Sequence, residues 1–534
     1  MRPLSIVVLP LLAAALAAQS TAVPGTDIRI YEVGSPTIYG RRGSAYPNGE
    51  IAIAIGHSMC NNGTVPIPWL GSSGGLMLAT YPRIGFLIAR ESGGRMVQVS
   101  NKAPMKHSRI AFNLGSGPCG TCTSGPANTF RVGCIDVYTT GFNGNQGTLG
   151  PTTEVDPWTG NWNPVGSLFD SGDPSVGGAA ASDGVYSLST AGWDQFKNRM
   201  LVREAELAVP GATFYGQSHV SVIGEPGDVR SNNMGSRPLN ITWNGSGWTT
   251  SLTAGGTFVA GSVLNRWSGA TVTQARNGND DGHFVVGVRV TGPVNGLWHY
   301  EYAIHNQDNG RGGAAFRLPV CASARVVAAG FRDLDTDPLN DWQVSRSGGE
   351  LAFLGAANNS HDWNTIYNVW FDCDAAPVAG TMTIDEARIG PGALSVAVPT
   401  TVPGLLGTEY LGAGCPGSPS LFANGLPSSP NLAYALQTSG TPNAFVAFAF
   451  ASLPAAVSLG GGCTQYVDGA TLIGAFPIQA NASGQASFAL PIPAALSPTD
   501  LAVQAFEIAA NGPVLGFLVA SNGVRVRAAG TGCP

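Results

Sequence analysis

DDGHFVVGVRV-TGPVNG-LWHYEYAIHN, residues 280–306, is the stretch that decides the fold class. Two runs rich in Val, Tyr, Phe and Ile flank a Gly/Pro/Asn loop (291–296), which is the composition of two strands joined by a hairpin turn. In the second run Trp298, Tyr300, Tyr302 and Ile304 fall on one face, and His299, Glu301, Ala303 and His305 on the other. That period is two, not 3.6, so the run predicts a strand. A register centred on Val294 places His283 opposite His305 and Arg289 opposite His299. Directly opposed side chains stand about 4.5–5.5 Å apart at Cβ, close enough to share a metal ion.

The same texture continues outward. GEIAIAIGH (49–57), ARVVAAGFRDL (324–334) and VAGTMTIDEARI (378–389) all read as strands. The best helix candidate is 181–207, where Trp193, Phe196, Met200 and Leu201 recur at helical spacing after caps at Ser189 or Thr190. The same run also serves as two strands. SVAVPTTVPG (395–404) is uncharged and Pro/Thr/Val-rich, as extended linkers are. After it, runs such as LAYALQT, AFVAFAF and ASFALPI alternate with turn clusters, which predicts a β-sandwich. The chain is therefore read as an all-β, multi-domain β-sandwich protein with few helices. Its expected divisions are a leader (1–18), a β-rich region with a cysteine cluster (19–205), a sandwich-like domain (206–395), a linker (396–404) and a C-terminal sandwich module (405–534).

The leader follows from MRPLSIVVLPLLAAALAAQ. Arg2 precedes an apolar core from Leu4 to Leu16, and small residues precede Gln19. This is the form of a secretory signal peptide, and the apolar run is too short to span a membrane. The rest is expected to be secreted or at the cell surface, where disulfides persist, with no transmembrane segment after the leader is removed. Composition agrees. Charged residues are 11% of the 534 and the chain is 44% apolar, against about 25% charged in an ordinary globular protein. The net charge of −6 and only three lysines, Lys102, Lys106 and Lys197, leave no basic stripe for nucleic acid.

Five segments carry a resemblance: Cys119-Gly-Thr-Cys122, Gly133-Cys134-Ile-Asp136, 141–160, 298–311 and 364–377. They look like segments of a family of secreted bacterial proteins with no known activity. The module opening GAGCPGSPSL (412–421) resembles one appended to other exported proteins. The resemblance implies export and a separable C-terminal domain, and no chemistry.

Nine cysteines are present. Cys60, Cys119, Cys122 and Cys134 can pair among themselves, which leaves Cys321 and Cys373 either bridged across two adjacent strands or packed as two buried free thiols. In the module Cys415–Cys463 is expected, with Cys533 left over near the terminus.

Several groups are candidates for chemistry. His283, His299, Glu301 and His305 offer imidazoles and a carboxylate on a rigid sheet, a donor set that suits Cu or Zn. His57, His107, His219 and His361 complete the seven histidines. The plainer reading is a solvated polar face with an Arg289–Glu301 ion pair. Asp333, Asp335 and Asp337, followed by Asn340 and Asp341, are spaced for Ca²⁺, although Pro338 stands where an EF-hand loop needs glycine. Gly71-Ser72-Ser73-Gly74-Gly75 matches a nucleophile elbow, but no convincing helix follows it. Glu154, Asp156, Glu301, Asp341 and Asp362 are the carboxylates from which a glycosidase pair would be drawn. Trp158, Trp162, Trp243 and Trp248 lie in Gly/Asn/Thr-rich segments and suit stacking against sugars, with burial at sandwich ends as the alternative. The expected function is a binding or structural role at the cell surface, with extracellular glycans or cell-surface components as partners. The alternative is a metal-dependent (copper or zinc) extracellular enzyme, for which oxidoreductase is the reaction class considered.

Overall fold

The computed structural model describes residues 22–528 except 74, 171–181, 277–281, 322–323, 348, 405–406, 426, 428–429 and 497–498. The expected leader (1–18) and Cys533 lie outside the described residues. The fold is all-β, and every strand pairing among the described residues is antiparallel.

Three sandwiches follow one another. In the first, a sheet built on Ile28–Gly43 and Gly49–Asn61 faces a larger sheet that includes Met105–His107, Arg83–Ser92, Thr213–Ser221, Met234–Trp243 and Trp248–Leu252 in that order. Ile51, Ile53 and Ile55 pack with Ile84, Phe86, Ile88, Phe214 and Ile241 in one core. The second opposes the sheet Thr271–Arg276, His283–Val294, Leu297–Asn306, Thr365–Cys373, Val326–Arg332 to the sheet Gln343–Ser347, Glu350–Leu354, Gly313–Pro319, Pro377–Glu386, Ser395–Pro403. Tyr300, Tyr302 and Phe371 meet Phe316, Phe353 and Val398 between them. The third packs Phe448, Val503 and Val524 with Leu421, Leu436 and Ala486.

The boundaries differ from those expected. No break occurs near residue 205: Thr213–Ser221 lies beside Arg83–Ser92 in the same sheet, and Phe214 and Leu239 belong to the first core. The expected linker is a strand. Ser395–Pro403 pairs along Pro377–Glu386 and buries Val396, Val398 and Val402. Its prolines are tolerated because the strand is the last of its sheet, where a missing N–H breaks no ladder. The expected helix is also absent: residues 190–199 form turns, followed by the strand Met200–Arg203 and a single helical turn, Glu204–Leu207. Met200 and Val202 are drawn into the first core, and this pairing overrides the helical spacing.

Cys60–Cys119, Cys122–Cys134 and Cys415–Cys463 are bridged. The Cys321–Cys373 pair is not formed. Cys373 keeps a buried free thiol, whereas Cys321 is disulfide-bonded. The two do not sit on adjacent strands. Cys373 ends a strand of one sheet, and Cys321 follows Gly313–Pro319 of the opposed sheet; facing sheets stand about 10 Å apart. Bridged cysteines are what an oxidising compartment preserves, and no described helix is long and apolar enough to cross a membrane.

Candidate functional site

The polar face of Leu297–Asn306 is largely turned away from solvent: Glu301, Ala303 and His305 are buried, and only His299 is partly exposed. It lies against the outer face of the first sandwich's larger sheet, so that four sheets are stacked. An apolar seam joins Leu87, Ala89, Met96, Tyr215 and Trp267 of one to Val285, Ala303 and Ile366 of the other. Hydrogen bonds cross the seam: Ile366 N–H donates to Gln98 Oε1 (2.9 Å), Asn368 Nδ2 to the Met96 carbonyl (2.8 Å) and Asn364 Nδ2 to the Phe86 carbonyl (3.2 Å). The strand's alternate residues read out this junction in order. His299 and Glu301 line a cavity, Ala303 lies in the seam, and His305 is buried beyond it.

The hairpin register differs from that expected by two residues. Arg289 pairs with Glu301, Thr291 with His299 and Val285 with His305. The turn is centred on Asn295-Gly296, both at positive φ (52° and 77°), not on Val294. Asn-Gly is the preferred pair for a turn that needs two positive φ values. His283 therefore does not face His305.

The cavity has a volume of about 340 Å³ and is lined by Arg90, Arg95, Arg289, His299 and Glu301, with Ser92, Gly93, Gly94 and Thr291. The Gly93-Gly94 turn, between Ser92 and its partner Arg95, has φ of 58° and 82° and brings Arg95 to the junction. Arg95 Nη2 donates to Glu301 Oε2 at 2.6 Å, and its guanidinium lies 3.8 Å from the centre of the Trp370 ring. His299 Nε2 is 3.4 Å from Glu301 Oε2, and its Nδ1 is 2.7 Å from Asp372 Oδ1. The Glu301 contact holds the His299 pKa above its ordinary value against the effect of burial, with Asp372 adding to the rise. Arg90 is tied to Glu206 at 2.7 Å. Arg289 has no hydrogen-bond or ion-pair partner among the described residues. Glu301 is 3% exposed, and its Oε1 has no hydrogen-bond partner there either.

Further along the junction, Asp308 collects buried charge. His283 Nδ1 is 3.1 Å from its Oδ1, and Arg230 Nη1 is 3.5 Å from its Oδ2. Burial alone would raise the Asp308 pKa, but His283 and Arg230 hold it well below the carboxylate range. His305 Nδ1 lies 2.8 Å from Ser262 Oγ, and burial and then the neighbouring His219 push its pKa down to about 3. Of the seven histidines, His219, His283 and His305 gather here. His57 and His107 lie in the first sandwich, and His361 lies between Phe316 and Tyr367 in the second. The expected quartet is thus divided. His299 and Glu301 share the cavity, His283 is held by Asp308 and His305 by Ser262. Among the described residues no three His, Cys, Asp or Glu side chains are grouped to hold a metal ion.

Asp333, Asp335 and Asp337 each accept a hydrogen bond from the backbone N–H two residues on, a run of Asx turns. Asp333 also accepts from Asn359 Nδ2 (2.6 Å). Trp158 and Trp162 are core residues, each 6% exposed, and so do not form an open stacking surface. Arg230 lies over Trp158, and His107 and Phe169 meet Trp162 edge-on. Trp243 and Trp248 close a hairpin and are half-buried. Tyr46 stacks flat on Trp243, with ring centres 4.8 Å apart and planes 3° apart, and is 37% exposed. Trp248 Nε1 donates to Glu204 Oε1 at 2.6 Å. Ser72–Ser73 of the elbow match is half of a two-stranded ladder with Leu76–Met77, not the end of a strand that feeds a helix. Asp362 is tied to Lys102 and Arg388, and Glu154 accepts from Leu168 N–H.

Arg90, Arg95 and Tyr46 were not legible as site residues. The cue for the two arginines, which flank Ser-Gly-Gly between two apolar runs, marks a hairpin but not what it meets, and Tyr46 carries no cue of its own.

No family model matches the chain, and no curated protein matches it. Among solved structures, the major pilin subunit BcpA of Bacillus cereus is 10% identical over 65% of this chain and 88% of its own, with a TM-score of 0.18. Escherichia coli alpha-2-macroglobulin activated by porcine elastase is 10% identical over 96% of this chain and 41% of its own, with a TM-score of 0.15. A Salmonella alpha-2-macroglobulin mutant is 9% identical over 94% of this chain and 33% of its own, with a TM-score of 0.17. Scores this low do not amount to a shared fold.

Proposed function

We propose that this chain is an exported β-sandwich protein of the cell surface or medium with a binding role, and that glycans are its ligands. The observation that carries the reading is the aromatic group of Tyr46, Trp243 and Trp248. Tyr46 has one ring face against Trp243, so its exposed area belongs to the other face and the edge. Trp248 is anchored through Glu204, which is in turn bound by Arg41 at 2.6 Å. Trp248 is therefore fixed before a ligand arrives, and Tyr46 and Trp243 pack against it and against each other. Flat, pre-oriented aromatic surface beside polar side chains favours the C–H faces of sugars, because little side-chain entropy remains to be lost. The leader and the disulfides support export.

The test is titration with neutral oligosaccharides of four to six sugars, followed by tryptophan fluorescence. Saturable quenching is expected, and Tyr46→Ala or Trp243→Ala should weaken it about tenfold, on the order of one lost aromatic contact. Absence of saturation across a panel of neutral glycans, or equal affinity in both variants, would overturn the reading.

A further inference from the structure

We propose that the cavity between the first and second sandwiches binds a sugar acid, its carboxylate on Arg289 and a ring hydroxyl donating to Glu301 Oε1. This deepens the glycan reading and rests on it for the choice of a sugar as the carrier of these groups.

The cavity is a cationic recess, not an apolar one. Arg90, Arg95, Arg289 and His299 line it against one carboxylate, Glu301. Two of the arginines are already committed, Arg90 to Glu206 and Arg95 to Glu301. Arg289 is partly withdrawn from water and, although it stands opposite Glu301 in the register, forms no ion pair or hydrogen bond among the described residues. A guanidinium in that position gains most from an incoming carboxylate, whose two oxygens match its fork of N–H donors. The guanidinium lies over Gly94, where a Cβ would stand 1.7 Å from Arg289 Nη1 and would push the flexible side chain aside; the positive φ of Gly94 (82°) independently favours glycine there.

Glu301 sets the second requirement. Its Oε2 receives Arg95 and faces His299, whereas Oε1 is buried and unpartnered among the described residues. A buried acceptor left alone carries a desolvation penalty that no hydrogen bond offsets. A bare anion would be repelled there, so the ligand has to carry a donor a few ångströms from its negative group. Ring hydroxyls next to a carboxylate meet that condition, whereas neutral sugars lack the negative group and inorganic phosphate carries its O–H on the anion itself, not a few ångströms from it. The volume of about 340 Å³ matches a small-ligand pocket, at the low end of the usual range of about 300–1,000 Å³. One sugar unit is the fitting size.

Calorimetric titration of the full chain with D-glucuronate, D-glucose, inorganic phosphate and glycine tests the assignment. Glucuronate should bind saturably with a Kd on the order of 1 mM, and the other three should bind at least about tenfold more weakly. Arg289→Gln should reduce glucuronate affinity by at least about tenfold, the scale of one charge-assisted contact, with an unchanged melt. Trp243→Ala should leave glucuronate binding intact, which separates this cavity from the aromatic group tested with neutral oligosaccharides. The proposal is overturned if glucuronate does not saturate, if Arg289→Gln binds it as well as the parent, or if phosphate or glycine binds equally.

Discussion

Buried histidine is the dominant titrating feature at the residue scale. Burial pushes His57 and His305 down to about 3, and His219 and His361 down to about 4. A folded-state pKa below the unfolded value near 6.5 means that the unfolded chain takes up protons the folded chain refuses. Stability on account of these groups is present above pH 6.5 and lost as pH falls toward about 4. Glu225 and Asp136 oppose this, because burial raises them to about 8 and about 7. Their contribution is full below the ordinary carboxylate range and lost as pH rises through the folded values. With His107, which burial also holds well below its ordinary value, five histidines against two carboxyls predict a net loss between pH 6.5 and 4, of up to about 1.4 kcal/mol per pH unit for each histidine. Urea midpoints measured across that range should fall, and His361→Gln should flatten the slope. A midpoint that stays level or rises on acidification would show that these imidazoles protonate in the folded state.

At the element scale, the strand Ser395–Pro403 separates two readings of one sequence. As a linker, every position would tolerate a charge. As a strand, positions differ by parity, since Val398 is fully buried and Ala397 is exposed. Val398→Asp places an unpaired carboxylate in the core and should cost at least about 3 kcal/mol. Ala397→Asp, one residue away, should change stability by less than about 0.5 kcal/mol. Chemical denaturation of the two variants checks this, and equal effects would return the segment to a linker. The run was misread because prolines and the lack of charge weighed more than the spacing of Val396, Val398 and Val402. The element that did read correctly, Leu297–Asn306, alternates without proline and divides cleanly into two faces.

At the scale of the whole molecule, the first two sandwiches share a seam crossed by hydrogen bonds from Ile366 N–H to Gln98 and from Asn368 to the Met96 carbonyl, whereas the third has its own core and its own disulfide. Calorimetry is expected to show the first two melting together and the third separately. Residues 405–534 expressed alone should fold to a β-protein with one cooperative transition. Replacing Cys415 and Cys463 with alanine should lower that transition, because the bridge closes a segment of 48 residues, for which chain entropy gives about 4 kcal/mol as an upper guide. A broad, non-cooperative melt of the isolated module would mean that contacts such as Trp298 with Tyr410 are needed for its fold.

Read alone, the sequence determined the fold class, the faces of the central hairpin and the Cys415–Cys463 bridge, because each is set by short-range pattern: period two, turn residues, and two cysteines with few alternatives. It did not determine what the polar face of 299–305 would meet. A row of His, Glu, Ala and His fits a solvated surface or a metal site as well as a domain junction, since alternation reports which side chains point together and not what lies opposite. Packing of a second sheet against that face decided the rest. It put Arg95 on Glu301 and left Arg289 over Gly94. It also buried His305 beside Ser262 and set Cys321 and Cys373 on opposed sheets. These contacts join residues tens to hundreds of positions apart, and only the three-dimensional register of one sandwich on another specifies them.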